Sequence, residues 1–553
     1  LSRRLAAELV VASFFVNLLS LAMPIFVIQI LSRYIGYGFD GTLYTLTSGM
    51  CLALLLGYGF NAVRQKIAAA ICRGPDAELH EKVQQILAQA HLQPLARYSH
   101  SELHELASGP NLIQAAFAPA RVTALLDMPF FLLFFLAIYL ISPILSLITL
   151  IAVGVSVLAG FLDKEANREN DMDMRDAATA YRGALAAAMS AKEAVRAFWG
   201  GEYLKGLWRR QQENIEQVRN RIFDRQGRAK GVLQTLASLL RVAVYAVGAK
   251  LVVEGDLTVG ALIGVSILAS KAFMITNGFV QAFLMLRKAD ETQERLGKFF
   301  SLPRESEEGT TLQNYLGGVQ FKDVGFAYPT SSTPLFESLN LAVAPGTLVA
   351  VSGYNGSGKS TFIKMIVGLY SPRRGSILAD GVDLRQLSAP WWRRRLAYLP
   401  QEPVFINGTF RDNITLLAPD ANEETLEDAV TAASLRRYLD QSPTGLDTMI
   451  SDSGASLPVG IRKRLGLARA LVGQGQLVVF DEPTEGLDTE GCKAVYDIMS
   501  RFIQLGRTMF VVTQDPRILN AAQVIVDLST KPVPTVRETP RSVPQQVAGG
   551  SHG

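Results

Sequence analysis

The run Gly353-Tyr354-Asn355-Gly356-Ser357-Gly358-Lys359-Ser360 has the residue types, at the right intervals, of a loop that wraps phosphate groups. Gly353, Gly356 and Gly358 let backbone N–H groups turn onto an anion without a Cβ in the way. Lys359 would reach the terminal phosphates, and Ser360 would offer a hydroxyl to Mg2+. The flanks agree with this reading. Thr347–Ser352 reads as a strand entering the loop, and the apolar-periodic Thr361–Leu369 as a helix leaving it, its positive end facing the same anion. Further along, Leu477-Val478-Val479-Phe480 reads as a strand that delivers the carboxylate pair Asp481-Glu482. Asp481 would hold Mg2+ through water, and Glu482 would polarise an attacking water as general base. The pair alone is a weak signal; downstream of a phosphate loop it is a specific one.

Two kinds of element must position these groups. Short apolar runs at Leu348–Val351, Leu396–Leu399, Leu477–Phe480, Met509–Thr513 and Val524–Leu528 suit buried parallel strands, and their alternation with helical patterns predicts an α/β domain over 317–530. The first half is different. A membrane-crossing helix needs about 20 mostly apolar residues. Leu5–Ile35, Leu43–Val63, Val232–Val253 and Leu257–Phe283 each supply a span, and Leu125–Leu162 supplies two, broken at Ile141-Ser142-Pro143. The fold expected is thus multi-domain. A transmembrane domain of six long helices occupies 1–287, a charged linker 288–316, the α/β domain 317–530, and a disordered tail 531–553.

Composition agrees. The 553 residues carry a net charge of +4 and only 19% charged residues, and the mean hydropathy is +0.20. That excludes a disordered chain and disfavours a wholly soluble one. The charge balance is no footprint for nucleic acid. Cys51, Cys72 and Cys492 are too scattered for a disulfide framework. His80, His91, His100 and His104 lack compact ligand spacing and read as surface residues; with His552 they complete the histidines. The first apolar run is too long for a cleaved signal peptide and lacks a small-residue cleavage pattern.

Basic residues set the orientation. Arg64, Lys66, Arg73, Lys82 and Arg97 lie between spans two and three. A longer series, from Lys164 and Arg168 to Arg225 and Arg228, lies between spans four and five. By the positive-inside rule both segments, and the N-terminus, face the cytoplasm. Ala68–Ala90 and Ala177–Asn220 read as helices running beyond the bilayer. Trp199-Gly200-Gly201 with Trp208 is either a docking turn or aromatic packing between these helices, and His91–Pro110 is the other docking candidate. Lys250 sits near a span end, where it would snorkel. Arg241 and Lys271 line a transport path or belong to a cytoplasmic extension; an acidic polypeptide would suit the first case.

In order and spacing, the motifs of the second half resemble the ATP-binding cassette family, and the likeness covers that half almost completely. The resemblance implies ATP bound by Gly353, Asn355, Gly356, Ser357, Gly358, Lys359, Ser360, Thr361 and Asp481, with Mg2+ on Ser360, Gln401 and Asp481. Tyr328, in Phe326-Ala327-Tyr328-Pro329, resembles the aromatic that stacks on adenine. Gln401, in Leu399-Pro400-Gln401-Glu402, resembles the glutamine that touches Mg2+ and the lytic water and senses the membrane domain. Asp488, ending Asp481–Asp488, resembles the loop that reaches across a dimer. Arg462–Leu471 resembles the helix that follows the family's signature. Six spans before one cassette are similar to an exporter half-transporter, whose dimer builds two composite ATP sites. Ala22–Gln29 and Leu126–Phe131 are similar to the type I secretion and peptide-exporter branch.

Two positions depart from the family pattern. The signature Leu-Ser-Gly-Gly-Gln is replaced by Leu457-Pro458-Val459-Gly460-Ile461. In the family this loop meets the γ-phosphate held by the opposite subunit, so Leu457, Pro458, Val459 and Gly460 would act there together with Asp488. Pro458 offers neither hydroxyl nor N–H, though it suits the first turn of a helix. The second departure is Gln514, which stands where the resemblance places a histidine. It could still donate to the γ-phosphate but cannot carry charge. The catalytic set implied is Glu482, Gln514, Gln401 and Lys359.

The function expected is ATP-driven export of a polypeptide across a bacterial inner membrane, with a periplasmic adaptor and an outer-membrane channel. The alternatives are export of lipid or small amphiphiles, and an ATP-gated regulator that barely turns over. A homodimer is favoured over pairing with a second half-transporter, because every other nucleotide residue is retained. Cys51 lies in a span without a nearby His, so no processing protease is expected in this chain.

Overall fold

The structure is a computed structural model that describes residues 3–328, 331 and 333–538. Residues 539–553, most of the expected tail, lie outside the described residues, as does Pro329 of the Tyr328 motif. The chain divides into two units: Leu1–Gln89 with Ala96–Leu302, and Pro303 onward with the short segment Ala90–Leu95.

The first unit is helical. Among the described residues, six of its helices are long and apolar enough to cross a membrane. The first span is built from Arg3–Leu19, Ala22–Gln29 and a wide π turn over Ile30–Tyr34. Pro24 sits in the first turn of its helix, where a missing N–H costs nothing. The second span is part of one 50-residue helix, Asp40–Gln89. At 1.5 Å per residue that far exceeds a bilayer core of about 30 Å. The third span runs from Pro119 to Ile141 through a single 3-10 turn at Met128–Phe130, where Pro129 interrupts the α-helical ladder. Ser142 then takes extended dihedrals and caps Leu145 N, and Pro143 opens the Pro143–Ser190 helix. This is the hairpin expected from Ile141-Ser142-Pro143.

The fifth and sixth spans lie in Gly201–Val253 and Val259–Phe300. Lys288–Phe300, expected as linker, therefore continues the sixth helix. Its solvated face is tied by pairs such as Lys298–Glu294 at 3.0 Å. The sixth helix is also the most buried of the six. Glycines let its neighbours approach it closely: a Cβ on Gly248 would lie 2.2 Å from Leu262, and one on Gly264 would lie 2.5 Å from Ile28. Phe134, Ile138, Leu145, Val244, Val265 and Ala272 fill the core between helices.

The second unit is α/β. Its strands are β1 (Val319–Phe326), β2 (Phe336–Val343), β3 (Leu348–Ser352), β4 (Arg374–Ala379), β5 (Val382–Asp383), β6 (Leu396–Leu399), β7 (Gly408–Thr409), β8 (Met449–Ile450), β9 (Leu477–Asp481), β10 (Thr508–Val512), β11 (Val524–Asp527) and β12 (Thr535–Glu538). The main sheet has the order β12-β11-β3-β10-β9-β6, parallel from β11 to β6. A second, antiparallel sheet has the order β2-β1-β4-β5. Phe321 of β1, Phe362 and Phe510 of β10 pack between the sheets, with the Phe321 and Phe362 rings stacked at 5.1 Å. The disordered tail expected from Lys531 does not begin there, because β12 pairs antiparallel with β11 from Val524↔Glu538 to Asp527↔Thr535. Ala90–Leu95 joins this unit: His91 N–H donates to Pro303 O at 3.0 Å, and Ser371 N–H to Gln93 Oε1 at 3.4 Å.

Candidate functional site

β3, β10 and β9 are adjacent and parallel, with Val512 of β10 opposite both Val351 and Asp481. Their carboxyl ends therefore bring the Gly353 loop, Thr513-Gln514 and Asp481-Glu482 to one edge of the sheet, the usual place for a ligand in such folds. The cleft there, about 730 Å³, is lined by Tyr328, Leu335, Asn355, Gly356, Gly358, Lys359, Ser360, Thr361, Gln401, Asp481, Glu482, Glu485 and Gln514. All the nucleotide and catalytic residues expected within one chain meet here except Gly353 and Ser357, which shape the loop behind it. Gly358 holds φ at +107°, and a Cβ there would strike Leu335 at 2.6 Å, so only glycine fits at the start of the Lys359–Ile366 helix.

Lys359 Nζ donates to Gly353 O at 2.9 Å and Tyr354 O at 3.3 Å, which keeps the ammonium inside the loop. The Tyr328 hydroxyl lies 2.5 Å from Thr361 Oγ1. Its ring meets Phe326 and Tyr370 edge-on, which leaves it half-exposed at the rim. Asp481 is 4% exposed, and its Oδ1 has no hydrogen-bond partner among the described residues. Burial pushes its carboxyl up, opposed by the Ser360 hydroxyl and nearby lysines. A buried carboxylate with a lone oxygen beside a serine hydroxyl suits a hard cation such as Mg2+.

Glu482 has φ +49°, a strained left-handed backbone for a non-glycine residue. Its N–H donates to Val512 O at 2.9 Å, which anchors the turn to β10. Burial raises the Glu482 carboxyl above its ordinary range. Lys359 opposes that, Glu485 and Asp481 add to it, and Lys463 opposes it. Such a carboxylate is a better proton acceptor than a solvated one.

The Leu457–Gly460 residues do not line this cleft. Pro458 is the N-cap of the Val459–Val472 helix rather than its first residue, and Val459 is 58% exposed. Asp488 Oδ1 accepts from Gly491 N–H at 2.8 Å and from Arg464 Nη2 at 2.6 Å, so within the chain it caps the Thr489–Gln504 helix. Glu485 and Lys463 were not singled out from sequence, although both lie inside the motifs quoted. Only the fold shows that they converge on Gln401.

In the helical unit, Asp127 accepts from Arg64 Nη1 at 2.8 Å and from Asn17 Nδ2 at 2.6 Å, and Arg64 is 7% exposed. Arg241 is exposed and Lys271 half-buried. Lys250 pairs with Glu254 at 3.7 Å. Neither Arg241 nor Lys271 lines the cavity of about 1460 Å³ between the fourth, fifth and sixth spans. Its cations are Arg225, Arg228 and Lys230, set against Asn277, Gln281 and the apolar Val232, Leu233, Phe273 and Met274. Phe198, Trp199 and Tyr203 are 84%, 88% and 78% exposed. The Trp199 turn is thus exposed, whereas Trp208 is half-buried, with its Nε1 buried.

Comparison with known proteins agrees with both units. Residues 7–276 match the ABC transporter transmembrane region, and residues 336–485 match the ABC transporter family. The alpha-hemolysin translocation ATP-binding protein HlyB of Escherichia coli O157:H7 is 25% identical over 532 residues, 95% of this chain and 74% of that protein. The toxin RTX-I translocation ATP-binding protein of Actinobacillus pleuropneumoniae is 25% identical with the same two coverages. A solved structure of a bacterial Atm1-family ABC exporter with ATP bound superposes with a TM-score of 0.82 at 21% identity, covering 95% of this chain and 93% of that one. The chain belongs to the ABC transporters: a helical transmembrane domain followed by an ATPase domain that couples ATP to transport.

Proposed function

We propose that the chain exports a polypeptide across a bacterial inner membrane, as a dimer whose two cassettes, in the cytoplasm, close on ATP. The observation that carries the ATPase part is the single cleft that gathers Lys359, Ser360, Gln401, Asp481, Glu482 and Gln514. In this reading Lys359 and the loop N–H groups bind the β- and γ-phosphates, and Tyr328 stacks on the base. Glu482 takes a proton from the attacking water, which Gln401 orients. Gln514 donates to the γ-phosphate. Mg2+, held by Ser360 and Asp481 with Gln401 nearby, would neutralise phosphate charge. Leu457–Gly460 and Asp488 complete the partner's site, with Pro458 weakening that contact.

Two observations support the polypeptide cargo. The relatives matched over 95% of the chain are named for translocating toxins. The large cavity combines cations, side-chain amides and an apolar wall, a mixture that fits an extended acidic peptide segment. A periplasmic adaptor and an outer-membrane channel would complete the path. The exposed Phe198-Trp199 turn would dock on a cassette. The Atm1-family resemblance keeps a smaller amphiphile as the second reading.

The test is made on the purified full chain. Turnover of ATP, its loss in Glu482→Gln, and crosslinking to an adaptor encoded beside it are expected. Turnover only after a second half-transporter is added would sink the homodimer, and the absence of any adaptor contact would favour the amphiphile.

A further inference from the structure

Gln401 is gripped at both ends. Its side-chain Nε2 donates to Glu485 Oε2 at 3.2 Å, and its backbone oxygen accepts from Lys463 Nζ at 2.9 Å. The two grips come from different elements, the turn that follows β9 and the Val459–Val472 helix. They are also linked. Lys463 is 3% exposed, and its ammonium faces the carboxylates of Glu485, Asp481, Glu482 and Glu402. A buried ammonium is tolerated only with such compensation. Glu485 therefore holds the side chain of Gln401 directly and helps retain the lysine that holds its backbone.

The chemistry of the grip is directional. An amide presents an NH2 on one side and an oxygen on the other, in nearly the same shape. An ionised carboxylate only accepts, so it admits the NH2 and rejects the oxygen. We propose that Glu485 is a positioning residue for the ATPase. It selects one of the two orientations of the Gln401 amide, keeping its oxygen free for the reaction, while Lys463 fixes the loop that carries it. This rests on the reading of Gln401 and Glu482 given above. Glu485 is exposed at the rim of the cleft, and Asp481, Glu482 and Glu402 still face Lys463 when it is replaced, so its replacement leaves the buried ammonium compensated and the fold intact.

The experiment compares Glu485→Gln, Glu485→Ala and Glu485→Lys in the full chain, with Glu482→Gln as control. Two readouts are taken: steady-state ATP turnover, and hydrogen–deuterium exchange over residues 399–404 without nucleotide. Glu485→Ala should lower kcat by about two- to fivefold, the range open to an exposed charged contact, without raising KM. Exchange of the loop should quicken in the same variant. Glu485→Gln, which can still accept the NH2, should recover most of both. Glu485→Lys, which can only donate, should turn the amide over and fall below Glu485→Ala. Wild-type kcat and exchange in Glu485→Ala, a raised kcat, or equal losses in the Lys and Gln variants would each overturn the proposal. A Glu482→Gln chain that still turns over would instead overturn the underlying site assignment.

Discussion

Pro458→Ser separates what the Leu457–Gly460 loop does for its own helix from what it does for a nucleotide. Pro458 caps the Val459–Val472 helix at φ −54° and ψ 145°, with no side-chain hydrogen bond to the first-turn N–H groups. Serine takes the same extended dihedrals, and its hydroxyl can accept one of those N–H groups, a gain of about 1 kcal/mol. Losing the ring's restraint on the unfolded chain removes about 0.4–1 kcal/mol. The two nearly cancel, so the fold should shift by less than about 1 kcal/mol. Any larger effect must arise outside the chain. A loop that meets the partner's γ-phosphate would regain one hydroxyl and one N–H, each worth roughly 1.5–3 kcal/mol toward a charged group. Together these strengthen ATP-driven closure by about 100-fold or more. The assay titrates ATP against cassette closure in the full chain, read by cysteine crosslinking, with Glu482→Gln blocking turnover. A thermal melt runs in parallel. Closure at much lower ATP with an unmoved melt is expected. Closure at the same ATP concentration would refute the assignment of this loop to the partner's nucleotide.

Two further outcomes follow from the geometry. Asp127→Ala leaves the buried Arg64 guanidinium without its counter-charge, at a cost of about 3–5 kcal/mol. Thermal melts in one detergent should show this loss, and Arg64→Met with Asp127→Leu should recover most of it. Equal melts for the single and double variants would count against a buried pair. Because burial and the neighbouring carboxylates raise Glu482 while Lys359 and Lys463 only partly oppose them, the acid limb of kcat/KM, which reports the free enzyme, should lie above the ordinary glutamate value of about 4.3. Activity then falls as pH drops through that raised value. A limb at or below the ordinary value would show that Glu482 is not the group being titrated.

Much of the site was legible because its chemistry is local. The Gly353–Ser360 loop and Asp481-Glu482 each lie within a few consecutive residues, and their flanking strands are short apolar runs that nothing else explains. The spans were legible for a similar reason, since bilayer thickness dictates their length. The errors came where composition was a poor guide. Lys288–Phe300 is charged like a linker, yet charges three and four residues apart also support a solvated helix. The segment after Lys531 is rich in proline and serine, yet Thr535–Glu538 finds the open edge of β11.

By itself, then, the sequence determined the two-part architecture, the phosphate loop and its carboxylates, and the presence of Pro458 and Gln514 where the resembled pattern has other residues. The tertiary structure decided which distant side chains meet. It placed Glu485 and Lys463 on Gln401, paired Arg64 with Asp127, and put Arg225, Arg228 and Lys230, rather than Arg241 and Lys271, around the large cavity. Periodicity in one dimension shows which face of an element is apolar. Which other element covers that face, and which charges it brings, depends on packing between segments far apart in the chain.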